Sequence, residues 1–340
     1  MKTPTKTLRV KNPTDLLALV PYAFGFHPQD SLVMVTGEAA EPFHVRVDLP
    51  APDDLDELCD HLATLTRRHR VRTVAVALYT DDAALAEGVY AALEPRLVEA
   101  GARVGEAVRA DGSRWWTLTG CAGPCCPAEG TPYDLSGHEF TAQGVLDGKV
   151  TLGSRAELAE SLVGTDPAEV EAVEAGADAA LLRLQKVARS PFGPVQRPAG
   201  RAHLVQEGRW VEQRLRRCLA DGERLDADEV GRLLVVLVSI EVRDVAWSLM
   251  ERANAARHVV LWRDIVRRSP PGLLAAPAAL LAFAAWLDGD GALAWCAVER
   301  CQQDEPDYGL AGLLTEALAG AVPPSTWQPM RRELLTLFAG

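Results

Sequence analysis

Apolar residues fall at helical spacing in one stretch of this chain and run almost unbroken in the next, and that alternation organises its first half. Leu55, Leu58, Leu62 and Leu65 stand three or four apart and predict a helix over about Asp54 to Arg70. Val71 to Tyr79 is apolar at nearly every position, Arg72 apart, as expected for a strand buried on both faces of a parallel sheet. Ser31 to Thr36 and His44 to Leu49 are β-branched, strand-like runs separated by the turn-forming Gly37 to Pro42. Pro13 to Phe24 reads as a short helix, with Asn12 as N-cap and Pro13 in the first helical position, where its missing N–H costs nothing. Asp81 or Asp82 caps a helix over about Ala83 to Ala100 that Gly101 ends. Ala102 to Arg109 and Arg114 to Thr119 read as strands joined by a tight turn at Ala110-Asp111-Gly112.

Repeated strand, helix, strand units predict an α/β domain whose mostly parallel sheet is covered by helices and carries one hairpin. After Gly153 the period changes. Ser154 to Val163 and Pro167 to Arg189 read as helices, the second capped by Asp166. From about His203 every segment reads as helix. The expected domains are therefore residues 1–153, α/β, and 154–340, all-α, with the Pro/Gly-rich stretch 190–200 as a linker or hinge. Gly289-Asp290, Ala294, Cys301 and Pro306, read from Ala282, resemble the spacing of one tetratricopeptide-like helix pair. No second copy occurs at the period of about 34 residues, so a single helical hairpin in an ordinary bundle is the competing description.

Composition bounds what such a chain can do. Two domains suit 340 residues, and 48% hydrophobic against 24% charged residues describes a globular protein with material for a core. The formal charge of -12 argues against general nucleic-acid binding, which needs a cationic surface to displace counterions. The first residues lack the apolar segment of a secretory signal, and the apolar run Pro270 to Leu287 reads as a buried helix; a cytoplasmic protein with no membrane span is expected. Its alanine-rich C-terminal helices could pack against a second copy or a protein partner.

Chemistry concentrates in Cys121-Ala-Gly-Pro-Cys125-Cys126-Pro127-Ala-Glu-Gly130, where three of the seven cysteines sit among helix- and strand-breaking residues. Cys121, Cys125 and Cys126 could hold a metal, with zinc the ion that such ligands suit and His138 or His27 as the fourth ligand. Adjacent cysteines seldom both reach one tetrahedral ion. A reversible disulfide from Cys121 to Cys125 or Cys126, a nucleophilic thiolate, and thiols that merely pack a tight loop are the alternatives. His27, Asp30 and Ser31, in Gly25-Phe-His-Pro-Gln-Asp-Ser-Leu32, are residue types of hydrolytic triads, although one local turn rarely aims all three and Asp30 and Ser31 equally suit turn capping. Asp81 follows a buried strand, where ligands bind at the carboxyl edge of α/β sheets. With it, Arg114, Trp115 and Trp116 are candidate ligand-binding residues. The two tryptophans must face opposite sides of their strand, one toward the core and the other toward the cysteine loop or a ligand. No phosphate-binding glycine fingerprint follows a strand.

These segments resemble a known family. Leu8 to Tyr22, Gly25 to Leu32, Arg114-Trp-Trp116 and Cys125-Cys-Pro127 with Gly130 are similar to the actinobacterial family called domain of unknown function 4192. The likeness continues through Leu261-Trp-Arg-Asp264, Trp286 to Trp295 and Pro323-Pro-Ser-Thr-Trp327. The resemblance implies a cytoplasmic bacterial protein in which the His27 and Cys-Cys-Pro segments are hallmarks, and it carries over no activity. Two functional expectations follow. One is a non-catalytic ligand-binding or regulatory protein whose helical domain docks a partner. The other is an enzyme with a composite site of His27, Asp30, Ser31 and the cysteine loop, which requires those two segments to meet in one cleft.

Overall fold

The structure, a computed structural model, describes residues 10–39, 41–120, 126–188 and 197–338. The chain divides into two compact units, Met1–Glu157 and Leu158–Gly340.

In the first unit, α1 (Pro13–Phe24) begins where Asn12 accepts the Asp15 N–H and ends at Gly25, whose φ of 74° is the left-handed conformation that a helix C-terminus favours. The strands β1 (Ser31–Gly37), β2 (His44–Asp48), β3 (Thr73–Tyr79), β4 (Arg103–Ala110), β5 (Arg114–Thr117) and β6 (Thr131–Pro132) form one sheet in the order β2-β1-β3-β4-β5-β6. Helices α2 (Leu55–Arg68) and α3 (Ala83–Glu99) supply Cys59, Leu62, Val89 and Leu93 to a core on one face, against Leu32, Met34, Val76 and Leu78. On the other face α1 packs Leu16, Leu17 and Val20 against Val33, Val35, Ala77, Tyr79 and Val108. Strands buried on both faces explain the nearly unbroken apolar run of β3.

The sheet is mixed, which corrects the expectation of a mostly parallel one. Among the described strands only β3 and β4 pair in parallel, and the other neighbours are antiparallel. Connection length is the reason for the two hairpins, β1–β2 and β4–β5. The β1–β2 link is closed by Thr36, whose N–H and hydroxyl both donate to the Phe43 carbonyl, and the β4–β5 link is the Asp111-Gly112 turn. Connections that short join only antiparallel strands, whereas the 17-residue α3 gives β3 and β4 the long crossover that parallel pairing needs. A short helix, α4 (Glu139–Leu146), completes the unit; His138 caps it and binds Asp15 of α1 through Nε2 at 3.1 Å. Neither β6 nor α4 stands out in the sequence.

Among its described residues the second unit has helices and no strand. It comprises the second half of α5 (Arg155–Glu160), then α6 (Pro167–Ala188), α7 (Arg197–Asp221), α8 (Ala227–Leu237), α9 (Ile240–Ser248), α10 (Ala255–Arg268), α11 (Ala275–Asp288), α12 (Gly291–Asp304) and α13 (Gly309–Ala319). Of the linker stretch 190–200, residues 190–196 lie outside the described ones and Arg197 to Gly200 already belong to α7. Helices α6 and α8 touch where Gly176 and Gly231 let their backbones meet: a Cβ on Gly231 would run into the Ala177 N–H and stand 2.7 Å from the Val173 carbonyl. Ala275 to Leu287 are all buried, so α11 is the central helix of the unit, and Gly289 (φ 90°) turns the chain into α12, capped by Asp290. These two helices form the hairpin expected there. No helix among the described residues is long and apolar enough to cross a membrane.

Candidate functional site

The register of the sheet lines up Ser31, Tyr79, Ala110 and Trp115 at one edge, which is the carboxyl end of the parallel pair β3 and β4. Loops leaving that edge surround a cleft of about 720 Å³. The edge position matches the general habit of α/β sheets to bind ligands beyond the strand carboxyl ends.

Three segments build its wall. The first is the turn between α1 and β1. After Gly25 reverses the chain, Phe26 pairs with Leu152, and the His27 N–H donates to the Leu152 carbonyl at 3.0 Å. This anchorage sets His27, Pro28, Gln29 and Asp30 along the cleft. Asp30 adopts φ 43°, a conformation uncommon for a residue with a Cβ.

The second segment follows β3. Tyr79 is 8% exposed, lines the cleft, and buries a hydroxyl that has no hydrogen-bond partner. Burial, with the nearby Tyr133 phenol adding to it, pushes its pKa well above the usual tyrosine range, so the hydroxyl keeps its proton. Thr80 and Asp81 come next. Arg109 Nη1 donates to both of their carbonyl oxygens at 3.3 Å, while its guanidinium stacks 3.7 Å from the Trp116 ring centre. Arg109 therefore positions the Asp81 backbone from the opposite face of the sheet; its side chain does not line the cleft, although its charge favours the ionised Asp111. Asp82, not Asp81, caps α3, through the Leu85 N–H at 2.9 Å.

The third segment is paired from two places. Asp111 turns β4 into β5, and its Oδ1 accepts from the Ser113 N–H, the Ser113 hydroxyl and the Arg114 N–H at 2.7 to 2.9 Å. Although burial opposes ionisation, those donors win and hold the carboxyl below its usual range. Tyr133, Asp134, Leu135 and Ser136, which follow β6, close the wall. Ser136 donates its N–H and its hydroxyl to the two carboxylate oxygens of Asp134, lowering that pKa as well. Tyr133 and Asp134 are lining residues outside the motifs expected from the sequence. The Asp-x-Ser spacing they share with Asp111-Gly-Ser113 was the available signal, and it marks two turns that carry carboxylates.

The cleft thus brings together His27, Asp30 and Asp81. Ser31 stays apart from them: it is fully buried, and its hydroxyl donates to the Gln29 carbonyl in a turn. Arg114 donates through Nη1 to the carbonyls of Gly130 at 2.8 Å and Glu129 at 3.2 Å. Trp115 packs in the core on the α1 face, and Trp116, on the other face, donates its indole N–H to the Ala128 carbonyl at 3.0 Å. Gly130 completes this unit, because its φ is 80° and a Cβ there would strike the Trp116 ring, 2.7 Å from Cζ2. Arg114 and Trp116 thereby tie β5 to the Ala128-Glu-Gly130 segment.

Cys121 and Cys125 lie outside the described residues. Cys126 lines a separate cavity of about 140 Å³ with Trp115, Trp116 and Pro127, and the two cavities share no lining residue. His138 is committed elsewhere: Nε2 to Asp15, and Nδ1 to the Phe140 N–H at 3.2 Å. Among the described residues no group of three or more His, Cys, Asp and Glu is placed to hold a metal ion.

Comparison with known proteins identifies one family, described as Domain of unknown function (DUF4192), whose match spans residues 13–325. Neither the curated proteins nor the solved structures contain a match.

Proposed function

With the chain a member of the DUF4192 family, we propose that its α/β unit is a non-catalytic binding module for a small molecule, held in the cleft at the sheet edge. The observation that carries this reading is the Tyr79 hydroxyl, a buried donor and acceptor in the cleft wall that the protein itself leaves without a partner. An unmatched buried hydroxyl costs stability, and a ligand that hydrogen-bonds to it recovers that cost. Three loops anchored by backbone bonds support a preformed pocket of the size that small-molecule sites use.

The enzymatic alternative draws less support. A triad of His27, Asp30 and Ser31 would need the Ser31 hydroxyl, which is spent on Gln29, and a composite site with the cysteine loop would need Cys126 in the cleft that His27 lines. For the helical unit we propose partner docking. Its support is Val238, Ile240 and Val260, each more than 60% exposed, and the tetratricopeptide-like reading of the α11–α12 hairpin belongs to this proposal.

A thermal-shift screen of the full-length protein against cationic, neutral and anionic metabolites tests the binding reading. We expect a compound that raises the melting temperature of the wild type and binds Tyr79→Phe at least tenfold more weakly. The unliganded variant should itself be more stable, by about 1 kcal/mol, because it loses an unsatisfied hydroxyl. Compounds that act equally on wild type, Tyr79→Phe and Asp81→Asn would place the ligand elsewhere and sink the proposal.

A further inference from the structure

The charge of the cleft is one-sided. Asp30, Asp81, Asp111 and Asp134 line it together with His27, and among the described residues no lysine or arginine does; Arg109, the cation that acts on Asp111, is spent on the Thr80 and Asp81 carbonyls and the Trp116 ring. Resting on the reading that this cleft is a binding site, we propose that its ligand is an organic cation, a compound with one or more ammonium or guanidinium groups on an apolar skeleton.

Hydrogen-bond capacity points the same way. The carboxylates of Asp30 and Asp81 have no partner among the described residues, and Asp111 gathers its three donors on Oδ1, leaving Oδ2 without one. Asp134 differs, since Ser136 occupies both of its oxygens. The site therefore offers acceptors in excess, and a ligand must bring the donors. Tyr79 supplies the independent observation. Its hydroxyl, buried and unpartnered, retains its proton, and its oxygen can accept an N–H. The aromatic rings of Tyr79 and Tyr133, with Leu17, Pro21 and Leu135, provide apolar and π surface beside those acceptors. Carboxylates next to aromatic faces are the surroundings that ammonium and guanidinium groups prefer.

Two other ligand classes fit less well. A nucleotide would bring phosphates into a wall of carboxylates with no basic side chain to meet them, so this edge reverses the charge logic of the nucleotide sites that sheets of this kind often carry. A bare divalent ion needs several carboxylates within bonding distance of one point, and no such group occurs among the described residues. Negative charge spread around about 720 Å³ suits a cation of many atoms.

The test is isothermal titration of the full-length protein at pH 8 with spermidine, agmatine and tyramine, against glucose, ATP and magnesium chloride as neutral, anionic and bare-cation probes. At least one amine should bind one to one, more weakly as salt is raised, and its affinity should fall about tenfold or more in Asp81→Asn and in Asp30→Asn. Both positions are exposed, and circular dichroism checks that each variant keeps its fold. Failure of all three amines, or amine binding that neither variant weakens, overturns the ligand class. If glucose or ATP binds instead and Tyr79→Phe abolishes that binding, the cation proposal falls while the cleft remains a site. If no probe binds and the metabolite screen also finds none, both fall.

Discussion

Tyr79 and His258 each bury a polar side-chain atom that lacks a hydrogen bond, and their surroundings give the two residues different meanings. Tyr79 lines the cleft wall, and its buried hydroxyl has no partner within the protein. His258 is fully buried in α10, lines neither cavity, and uses only Nε2, 3.3 Å from the Leu249 carbonyl. Burial disfavours its imidazolium, neighbouring Arg257 adds to the effect, and the Leu249 carbonyl opposes it only in part; the pKa drops to about 4 from the ordinary histidine value of 6.5. The sign follows from proton uptake. Between those two values the unfolded chain binds a proton that the folded one refuses, so the contribution of His258 is complete above about pH 6.5 and is lost as pH falls toward about 4. The loss amounts to about 3 kcal/mol over that window at one pK unit per 1.36 kcal/mol. Urea denaturation at pH 7 and pH 4.5 should show the wild type losing more stability than His258→Gln across the interval. Equal losses would mean that the imidazole is not held neutral.

Among the elements, the contact of α6 with α8 has the least tolerance. Gly231 meets backbone atoms of α6, not flexible side-chain ends, so a methyl group cannot be accommodated by a rotamer change and the helices must separate. Gly231→Ala should destabilise the helical unit by about 3 kcal/mol, the upper part of the usual overpacking range, despite alanine's better helix propensity of about 1 kcal/mol. Chemical denaturation followed by circular dichroism measures it. A neutral or stabilising result would show that the helices do not pack through this pair. The same reasoning explains Gly130, whose missing side chain leaves room for Trp116 and lets the Ala128-Glu-Gly130 segment close against β5. Capping signals in the sequence translated into structure with little change: Asn12 before α1, Asp82 before α3 and Asp166 before α6 all accept an N–H of the first helical turn. Each of these depends only on neighbours within one turn.

For the molecule as a whole, the formal charge of -12 predicts weak interaction with polyanions. Fluorescence anisotropy with a labelled DNA duplex at 100 mM salt should detect no binding tighter than about 10⁻⁴ M, the weak limit of ordinary non-specific association. Micromolar, salt-dependent binding would reveal a basic surface that the net charge conceals. The sequence by itself determined the features that local spacing carries: α1 to its residue limits, the run of helices after residue 153, the buried helix α11 and the turn at Asp111-Gly112. It also singled out His27, Asp30 and Asp81, because turn residues next to buried strands are visible in one dimension. Strand order was decided only in three dimensions. A periodicity shows that β1 is buried and is silent on whether its neighbours run parallel, which depends on how long each connection is and where it crosses the sheet. The cleft belongs to that second category. Tyr79 reads as one more apolar strand residue, and Tyr133 and Asp134 as an undistinguished loop more than fifty residues away, until β6 pairs beside β5 and sets all three around one cavity. Composition along a chain records which groups prefer to leave water, whereas a site is made by groups that the fold brings together from distant positions, and only the pairing of the strands encodes that proximity.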